Sequence, residues 1–572
     1  MTGTLTDILV VMAVAVVVSL FFGRLRLPTL VGLFAAGVLI GPHALRLVRT
    51  PESVQQLADI GVIFLLFALG LEFSFRRMAR LLRAVLIAGP LQVMLTGAIG
   101  ARVALGFGRS SKEALVLGML IALSSTAVVL KTLTEQAEVD SPLGQNSLGI
   151  LIFQDILVVP MMLVLPLLGG EHVETRWSPP ALAGIAVGLV VVVIVGTKWA
   201  APWLLHEAAR SRSGDIFLMA VVTICFGVAA LSASLGLSLA LGAFLAGLII
   251  SESEYSHQAM GYVLPFRNLL VSFFFVSVGM LLDVHFLARY WWIVILCTIG
   301  LMVIKTLTGT AAVLAVRYPL CTALRTGMTI SQVGEFSFVL AAVAMDHSLL
   351  PEDLHQGFLA VAVLTMAVTP IVMGQTRRVY RLADWLPLPR SLVLGSTPPA
   401  AETVNLSDHL IIIGYGVNGR NLARTARQFG IPFVVIELNP QTVRKEGREL
   451  PILYGDATNE AVLSQAGVRR ARAAAVVIGD PASTRGIVAQ LRRLNPSLHI
   501  IARTRFLTEV QPLYALGADD VVPEEFETSI AIFHRTAHYF GLPEEEVLLL
   551  EQAIRDDHYS LLTKPIDDTD QT

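Results

Sequence analysis

The sequence predicts an α-helical polytopic membrane domain of about thirteen spans followed by an α/β domain of Rossmann type. Three observations lead there. The 572-residue chain is 54% hydrophobic and only 15% charged, outside the range of soluble globular proteins. Before about Arg377 the apolar excess comes as long runs, whereas after about Ser391 charged and apolar residues alternate. The apolar segment LIII at 410–413 then leads directly into GYGVNG.

These features set the expected domains: a transmembrane domain at 1–380, a linker at 381–404, a Rossmann domain at 405–526, and a helical extension with an acidic tail at 527–572. A hydrocarbon core about 30 Å thick takes about twenty residues of helix per span. Runs of that kind fall at 5–22, 28–45, 54–74, 84–105, 112–133, 144–168, 181–205, 215–235, 238–251, 266–284, 290–316, 322–346 and 355–374. The first contains Asp7 and has no small-x-small cleavage site, so it reads as a retained span rather than a signal peptide. With the N-terminus outside, the inner loops hold Arg24, Arg26, Arg76, Arg77, Arg80, Arg83, Arg210, Arg212, Arg317, Arg325, Arg377, Arg378 and Arg381, and the outer loops hold a thinner set. An odd number of spans then places the C-terminal domain in the cytoplasm. A net charge of −2 gives no concentrated basic face and excludes a nucleic-acid partner. Cys225, Cys297 and Cys321 form no metal-ligand or CxxC spacing and read as packing residues.

A charge at mid-bilayer costs about 2.5–3.5 kcal/mol on insertion scales, so each one needs a reason. Four runs carry polar residues at one depth. Gln154 and Asp155 lie at the centre of the sixth, Lys305 at the centre of the eleventh, Ser124, Ser125 and Thr126 just past the middle of the fifth, and SQVGE at 331–335 in the middle of the twelfth. Chance placement would scatter such residues to the span ends, where snorkelling makes them cheap. An acid and a base at one depth suggest a pair that is neutral when empty and opens when a cation or proton takes the acid. Alternatively, Asp155 is a protonated, hydrogen-bonded carboxyl and Lys305 a structural partner. The fifth and twelfth runs read as discontinuous helices whose half-helix ends surround an ion; a seam of small packing residues is the other reading. Glu335 is either a second ligand or, preferably, the countercharge to a helix end. Glu72 reads as an interfacial partner of Arg76 and Arg77.

In the C-terminal part, Gly414, Gly416 and Gly419 fit G-x-G-x-x-G between a strand and an amphipathic helix, with Asn418 in the turn. Glu437 ends the next strand, placed for a ribose hydroxyl pair, and Asp456, Ala457 and Thr458 follow the third. No residue set for hydride transfer stands out, so the domain reads as a sensor rather than an enzyme. A Rossmann domain that binds nothing is the alternative.

The chain resembles the second group of bacterial monovalent cation:proton antiporters, close to the Kef potassium efflux family, over nearly its whole length. The resemblance is carried by LGLEFS at 69–74, SSTAVVLK at 124–131, GILIFQDILVVP at 149–160, FFFVSVGM at 273–280, QVGEFSF at 332–338 and the Rossmann segment 410–437. It implies crossed discontinuous helices in inverted repeats, a homodimer in the inner membrane, alternating access, Asp155 as carrier of cation and proton, Lys305 as its partner, and a regulatory AMP or NAD(H). The Gln154–Asp155 pair resembles the potassium-associated form of the motif, where sodium exchangers more often carry two adjacent acids. Two departures argue against glutathione as a ligand: Val417-Asn418 stands where glutathione-gated members carry Arg-Phe, and EYSHQAMGYVLPF at 254–266 replaces their acidic loop. A separate regulatory subunit is left open. A sodium/proton antiporter of the same fold is the nearest rival. A potassium channel with a Rossmann domain would need a carbonyl filter, and the single GYG, at 414–416, lies in the C-terminal domain. A membrane-bound oxidoreductase would need redox ligands in the spans, and the sequence has none there.

Overall fold

The computed structural model describes residues 2–25, 27–48, 51–72, 81–135, 138–139, 141–169, 201–211, 213–234, 239–251, 253–383, 406–447 and 449–556. It divides into a helical unit and an α/β unit. The helical unit opens with α1 (Thr2–Arg24), α2 (Thr29–Ile40), α3 (Pro51–Glu72) and α4 (Ala84–Gly106), the last beginning with a π turn at Ala84–Ala88. There follow α5 (Ser111–Ala122), α6 (Thr126–Glu135), α7 (Pro142–Gly169), α8 (Ala201–Arg210), α9 (Gly214–Ser234), α10 (Leu239–Ser251) and α11 (Ser256–Met280). The unit closes with α12 (Val284–Ala315), α13 (Leu320–Thr329), α14 (Phe336–Asp346) and α15 (Glu352–Ala383). Among the described residues nine helical stretches are long and apolar enough to cross a membrane, 111–134 counted as one. The fifth and twelfth expected runs are each two helices separated by non-helical residues, 123–125 and 330–335. Most of the expected run 181–205 lies outside the described residues.

One boundary differs from expectation. Residues 254–266 read as a loop, yet α11 starts at Ser256. Ala259 and Val263 in this stretch are fully buried in a cluster with Phe217 and Ile249, and that packing extends the helix by two to three turns.

Helix pairs approach through glycine. A Cβ on Gly37 of α2 would stand 2.1 Å from the Val276 carbonyl of α11, and one on Gly279 of α11 would stand 2.2 Å from the Phe34 carbonyl of α2. Gly70 of α3 and Gly247 of α10 repeat the arrangement at 2.3 and 2.1 Å from the Phe244 and Phe67 carbonyls. Without a hydrophobic force between helices in lipid, such backbone contact is what packs them. Phe338 of α14 anchors the second half-helix, its ring centroid 6.3 Å from that of Phe34, 6.0 Å from Phe275 and 5.8 Å from Phe358. On α12 the residues Trp291, Ile295, Ile299, Val303 and Leu307 form an exposed stripe at helical spacing, as a helix facing hydrocarbon requires. Cys297, expected to pack inside, is exposed on the same helix, whereas Cys225 is buried.

The α/β unit contains β1 (Leu410–Ile413), α16 (Val417–Gln428), β2 (Phe433–Glu437), α17 (Pro440–Glu446), β3 (Ile452–Tyr454), α18 (Glu460–Gln465), β4 (Ala473–Val476), α19 (Pro481–Leu494), β5 (His499–Thr504), α20 (Val510–Ala515) and β6 (Asp520–Pro523). Two helices follow, α21 (Glu524–Tyr539) and α22 (Glu544–Asp556). The sheet is parallel throughout in the order β3-β2-β1-β4-β5-β6, with Ile411 opposite both Val434 and Ala474. Alternate residues feed two cores: Ile411, Ile413, Val434 and Ile436 on one face, Ile412 and Val435 on the other. Strands buried on both faces account for the continuous apolar runs LIII and FVVI. The order reverses between β1 and β4, and a doubly wound sheet binds ligands at the strand ends beside that switch.

Replacing Gly37 by Val is expected to separate α2 from α11 and to destabilise the protein by at least the roughly 1–3 kcal/mol typical of overpacking. A thermal melt of the full chain in detergent measures it, with the exposed α12 variant Val303→Ala as a neutral control.

Candidate ion site and nucleotide crevice

The two interrupted helices meet at their breaks. Gly334 N–H donates to the Leu123 carbonyl at 3.1 Å, the Ser124 hydroxyl to the Ile330 carbonyl at 2.8 Å, and the Gln332 amide to the Ser125 carbonyl at 3.3 Å. The Ser337 hydroxyl donates to the Leu120 carbonyl at 2.7 Å, and Val333 N–H to the Thr365 hydroxyl at 3.1 Å. Each break thus supplies partners for the backbone that the other leaves open. Contact this close needs glycine: a Cβ on Gly334 would lie 2.7 Å from the Ser124 carbonyl oxygen.

Ser125 caps α6, its hydroxyl oxygen accepting from Val128 N–H at 3.3 Å. Thr126 opens that helix and donates its hydroxyl to both Asp155 oxygens, at 3.2 and 3.0 Å. Asp155 itself is partly buried on α7. Its carboxylate therefore stands at the N-terminal, positive end of a half-helix. Glu335 directly precedes α14 at its N-cap position, and its side chain makes no cap hydrogen bond to that helix. Its carboxylate lies against the Ser125 hydroxyl and the Ala127 N–H, and its buried Oε2 has no hydrogen-bond partner.

Lys305 departs from expectation. It is fully buried, and no ion pair joins it to Asp155 among the described residues; its Nζ donates to the Ile121 carbonyl at 2.8 Å and the Leu123 carbonyl at 2.6 Å. These are carbonyls at the C-terminal end of α5 and in the break, where the helix leaves acceptors open and carries its negative end. Charge-assisted bonds of about 1.5–3 kcal/mol each offset the burial of the ammonium. The base neutralises a helix end rather than the acid.

Gln154 is also engaged differently from a free ligand. It is 1% exposed, its Oε1 accepts Ser124 N–H at 2.7 Å, and its Nε2 donates to Gln92 Oε1 at 2.6 Å. Gln92, Thr96, Thr308, Thr365 and Thr369 belong to this polar group and were not singled out in the sequence. Gln92 could have been: it is an amide well inside the fourth apolar run. Glu72 pairs with Arg267 at 3.1 Å; Arg76 and Arg77, its expected partners, lie outside the described residues.

In the α/β unit Gly414 has φ +97°, a conformation that favours glycine, and turns the chain from β1 into α16. A Cβ on Gly419 would stand 1.9 Å from the Gly414 carbonyl, so glycine lets the helix close on the strand. A Cβ on Gly416 meets nothing within 4 Å, leaving open space before the α16 N-terminus. Glu437 Oε2 accepts Tyr415 N–H at 2.7 Å and Oε1 accepts Asn439 N–H at 2.6 Å. Burial raises its carboxyl above the ordinary range, and these N–H groups pull the other way. Asp456 Oδ1 accepts the Thr458 N–H and hydroxyl at 2.9 and 2.7 Å, fixing the turn after β3, and Ala457 is buried beside it. Asn418, in the first turn of α16, lines a cavity of about 660 Å³ with Val477, Arg503 and Glu524, at the ends of β4, β5 and β6.

Residues 10–376 match the family model described as sodium/hydrogen exchanger, transmembrane, and residues 410–524 match the TrkA-N domain. The chain is 31% identical over 563 residues to a putative K(+) efflux antiporter, KefB, of Alkalimonas amylolytica, covering 98% of this chain and 85% of that protein. It is 30% identical over 544 residues to the glutathione-regulated potassium-efflux system protein KefC of Klebsiella pneumoniae subsp. pneumoniae, covering 94% and 86%. The sodium proton antiporter MjNhaP1 from Methanocaldococcus jannaschii has a similar fold, with a TM-score of 0.50 and 16% identity over 66% of this chain and 97% of that one.

Gly334→Ala is expected to push the breaks apart at the Ser124 carbonyl. A fall in thermal stability of roughly 1–3 kcal/mol in detergent, together with loss of any cation-dependent stabilisation, checks the crossing contact.

Proposed function

Since the chain belongs to the transmembrane sodium/hydrogen exchanger family and carries a TrkA-N domain, we propose that it exchanges potassium for protons by alternating access under control of a nucleotide. The observation that carries this reading is the Asp155 carboxylate, mid-helix, at the positive end of α6 beside two crossed breaks. A carboxylate so placed holds a proton or a monovalent cation but not both, and competition for one group couples the two flows. One-for-one exchange follows. Ser125, Thr126 and Glu335 border the same space, Gln154 holds the break open, and Lys305 steadies the end of α5. Potassium is preferred over sodium because residue 154 is an amide and because the relatives at about 30% identity are named as potassium efflux systems. The arginine distribution supports an outer N-terminus and a cytoplasmic nucleotide domain in a bacterial inner membrane. The exposed apolar stripe of α12 fits a lipid surface, and the protein acts as a homodimer, as the family resemblance implies.

AMP or NAD(H) fits the crevice around Gly416: open space for phosphate before α16, and Glu437 at the end of β2 for ribose hydroxyls. Gly414, Gly419, Asp456, Ala457 and Thr458 shape its walls. Glutathione is not proposed, given Val417-Asn418 after the second glycine.

Two measurements test these readings. In liposomes with an internal pH dye, external potassium is expected to alkalinise the interior, sodium to do so less, and Asp155→Asn to reduce the response to that of empty liposomes. An undiminished response in Asp155→Asn would remove Asp155 from the site. For the nucleotide, an ionised Glu437 accepts a ribose hydroxyl pair more strongly than the neutral acid, and burial raises the pKa of its carboxyl above the ordinary value. Affinity of the full chain for AMP, NAD⁺ or NADH, by calorimetry, is therefore expected to fall as pH drops through that raised value. Glu437→Gln should weaken binding at neutral pH and flatten the pH dependence.

A further inference from the structure

The Gln154 amide beside Asp155 is one end of a buried hydrogen-bond chain through four elements. Gln154 Nε2 donates to Gln92 Oε1 on α4 at 2.6 Å, and Gln92 Nε2 donates to the Thr96 hydroxyl at 3.1 Å and to the Ala122 carbonyl at 3.2 Å. Thr96 and Thr308 hydroxyls are 2.7 Å apart, and Thr308 donates to the Lys305 carbonyl on α12 at 3.1 Å. Gln92 and Thr96 are fully buried and Thr308 is 3% exposed, so water does not complete these bonds.

The orientation of Gln92 is fixed by the Ala122 carbonyl, which can only accept and so takes an N–H of Gln92 Nε2. The Thr96 oxygen accepts from the same nitrogen, and either hydroxyl of the Thr96–Thr308 pair can be the donor in their bond. Gln92 Oε1 is thereby turned to Gln154 and must receive an N–H. The Gln154 amide has one orientation left, nitrogen towards Gln92 and oxygen towards Ser124 N–H in the break.

We propose that Gln92 is a positioning residue for the ion site: it fixes the orientation of the Gln154 amide, through it the break at 123–125, and so requires a neutral donor at position 154. Resting on the exchange reading for its setting, the inference gives a reason why an acid is not interchangeable with Gln154 here. An ionised carboxylate at 154 would have no N–H for Gln92 Oε1 and would place two acceptors 2.6 Å apart. Among the described residues no hydrogen bond joins Gln92 to Asp155; Gln92 acts through Gln154 and through the Ala122 carbonyl that borders the break.

The test uses the full chain in detergent and in liposomes, comparing Gln92→Met, Gln154→Met and the double variant, with Gln92→Asn as the conservative form. Apparent potassium affinity is read from cation-dependent thermal stabilisation, and exchange from the pH dye across a range of pH. Gln92→Met is expected to weaken potassium binding by about tenfold or more, the effect of stranding one buried polar group, and to shift the pH profile of exchange. In the double variant potassium affinity should be no worse than in Gln154→Met alone. A Gln92→Met protein that melts earlier but binds potassium with unchanged affinity and pH profile would overturn the proposal. So would a full additional loss in the double variant. If the wild-type chain binds potassium without moving protons, the exchange reading fails while the binding titration still decides the role of Gln92.

Discussion

Backbone polar groups have no water to bond with inside a bilayer, and a helix broken at mid-membrane exposes several at once. Two helices of this chain are broken in that way, and much of the surrounding polar side-chain placement answers the resulting demand. Ser124, Gln332, Thr365 and Ser337 are hydroxyl or amide donors and acceptors aimed at main-chain atoms rather than at one another. Lys305 is a cation aimed at two more. Gly334 is glycine because the two breaks touch. The aromatic cluster around Phe338 then holds the second half-helix while the breaks hold each other.

The electrostatic result differs from a salt bridge. Lys305 meets the negative end of α5, while Asp155 and Glu335 lie at the positive ends of α6 and α14. Acid and base are each matched by a helix end, so neither is consumed by the other. Among the described residues Thr126 is the hydrogen-bond partner of the Asp155 oxygens, which on the proposed reading leaves them for an arriving ion or proton. A direct Asp155–Lys305 pair would have made ion entry a contest with a bound ammonium.

Much of this was legible in the sequence, for physical reasons. Charged and amide groups at a common depth in apolar runs are costly, and residues 124–126, 154–155, 305 and 331–335 do cluster in space. The two interruptions were legible because Ser-Ser-Thr and Ser-Gln-Val-Gly-Glu compete for backbone hydrogen bonds. The strand–glycine–helix–acid order of 410–437 fixed the α/β unit, since strands buried on both faces must be continuously apolar. Partners were not legible. Whether Lys305 faces a carboxylate or carbonyls depends on helix rotation, which span-averaged hydropathy does not encode. Gln92 is a single amide in an otherwise apolar run, and the helical start at Ser256 follows from tertiary packing of Ala259 and Val263 that no local signal carries.

The glycine contacts of α2 with α11 and of α3 with α10 also constrain how the gene for such a protein can change length. Each residue added to a helix turns everything beyond it by about 100°. One codon inserted ahead of Gly37 within α2, or ahead of Gly70 within α3, would rotate a larger side chain onto a neighbouring backbone where only hydrogen fits. A one-residue insertion ahead of either glycine thus disrupts the contact, whatever the chemistry of the inserted residue.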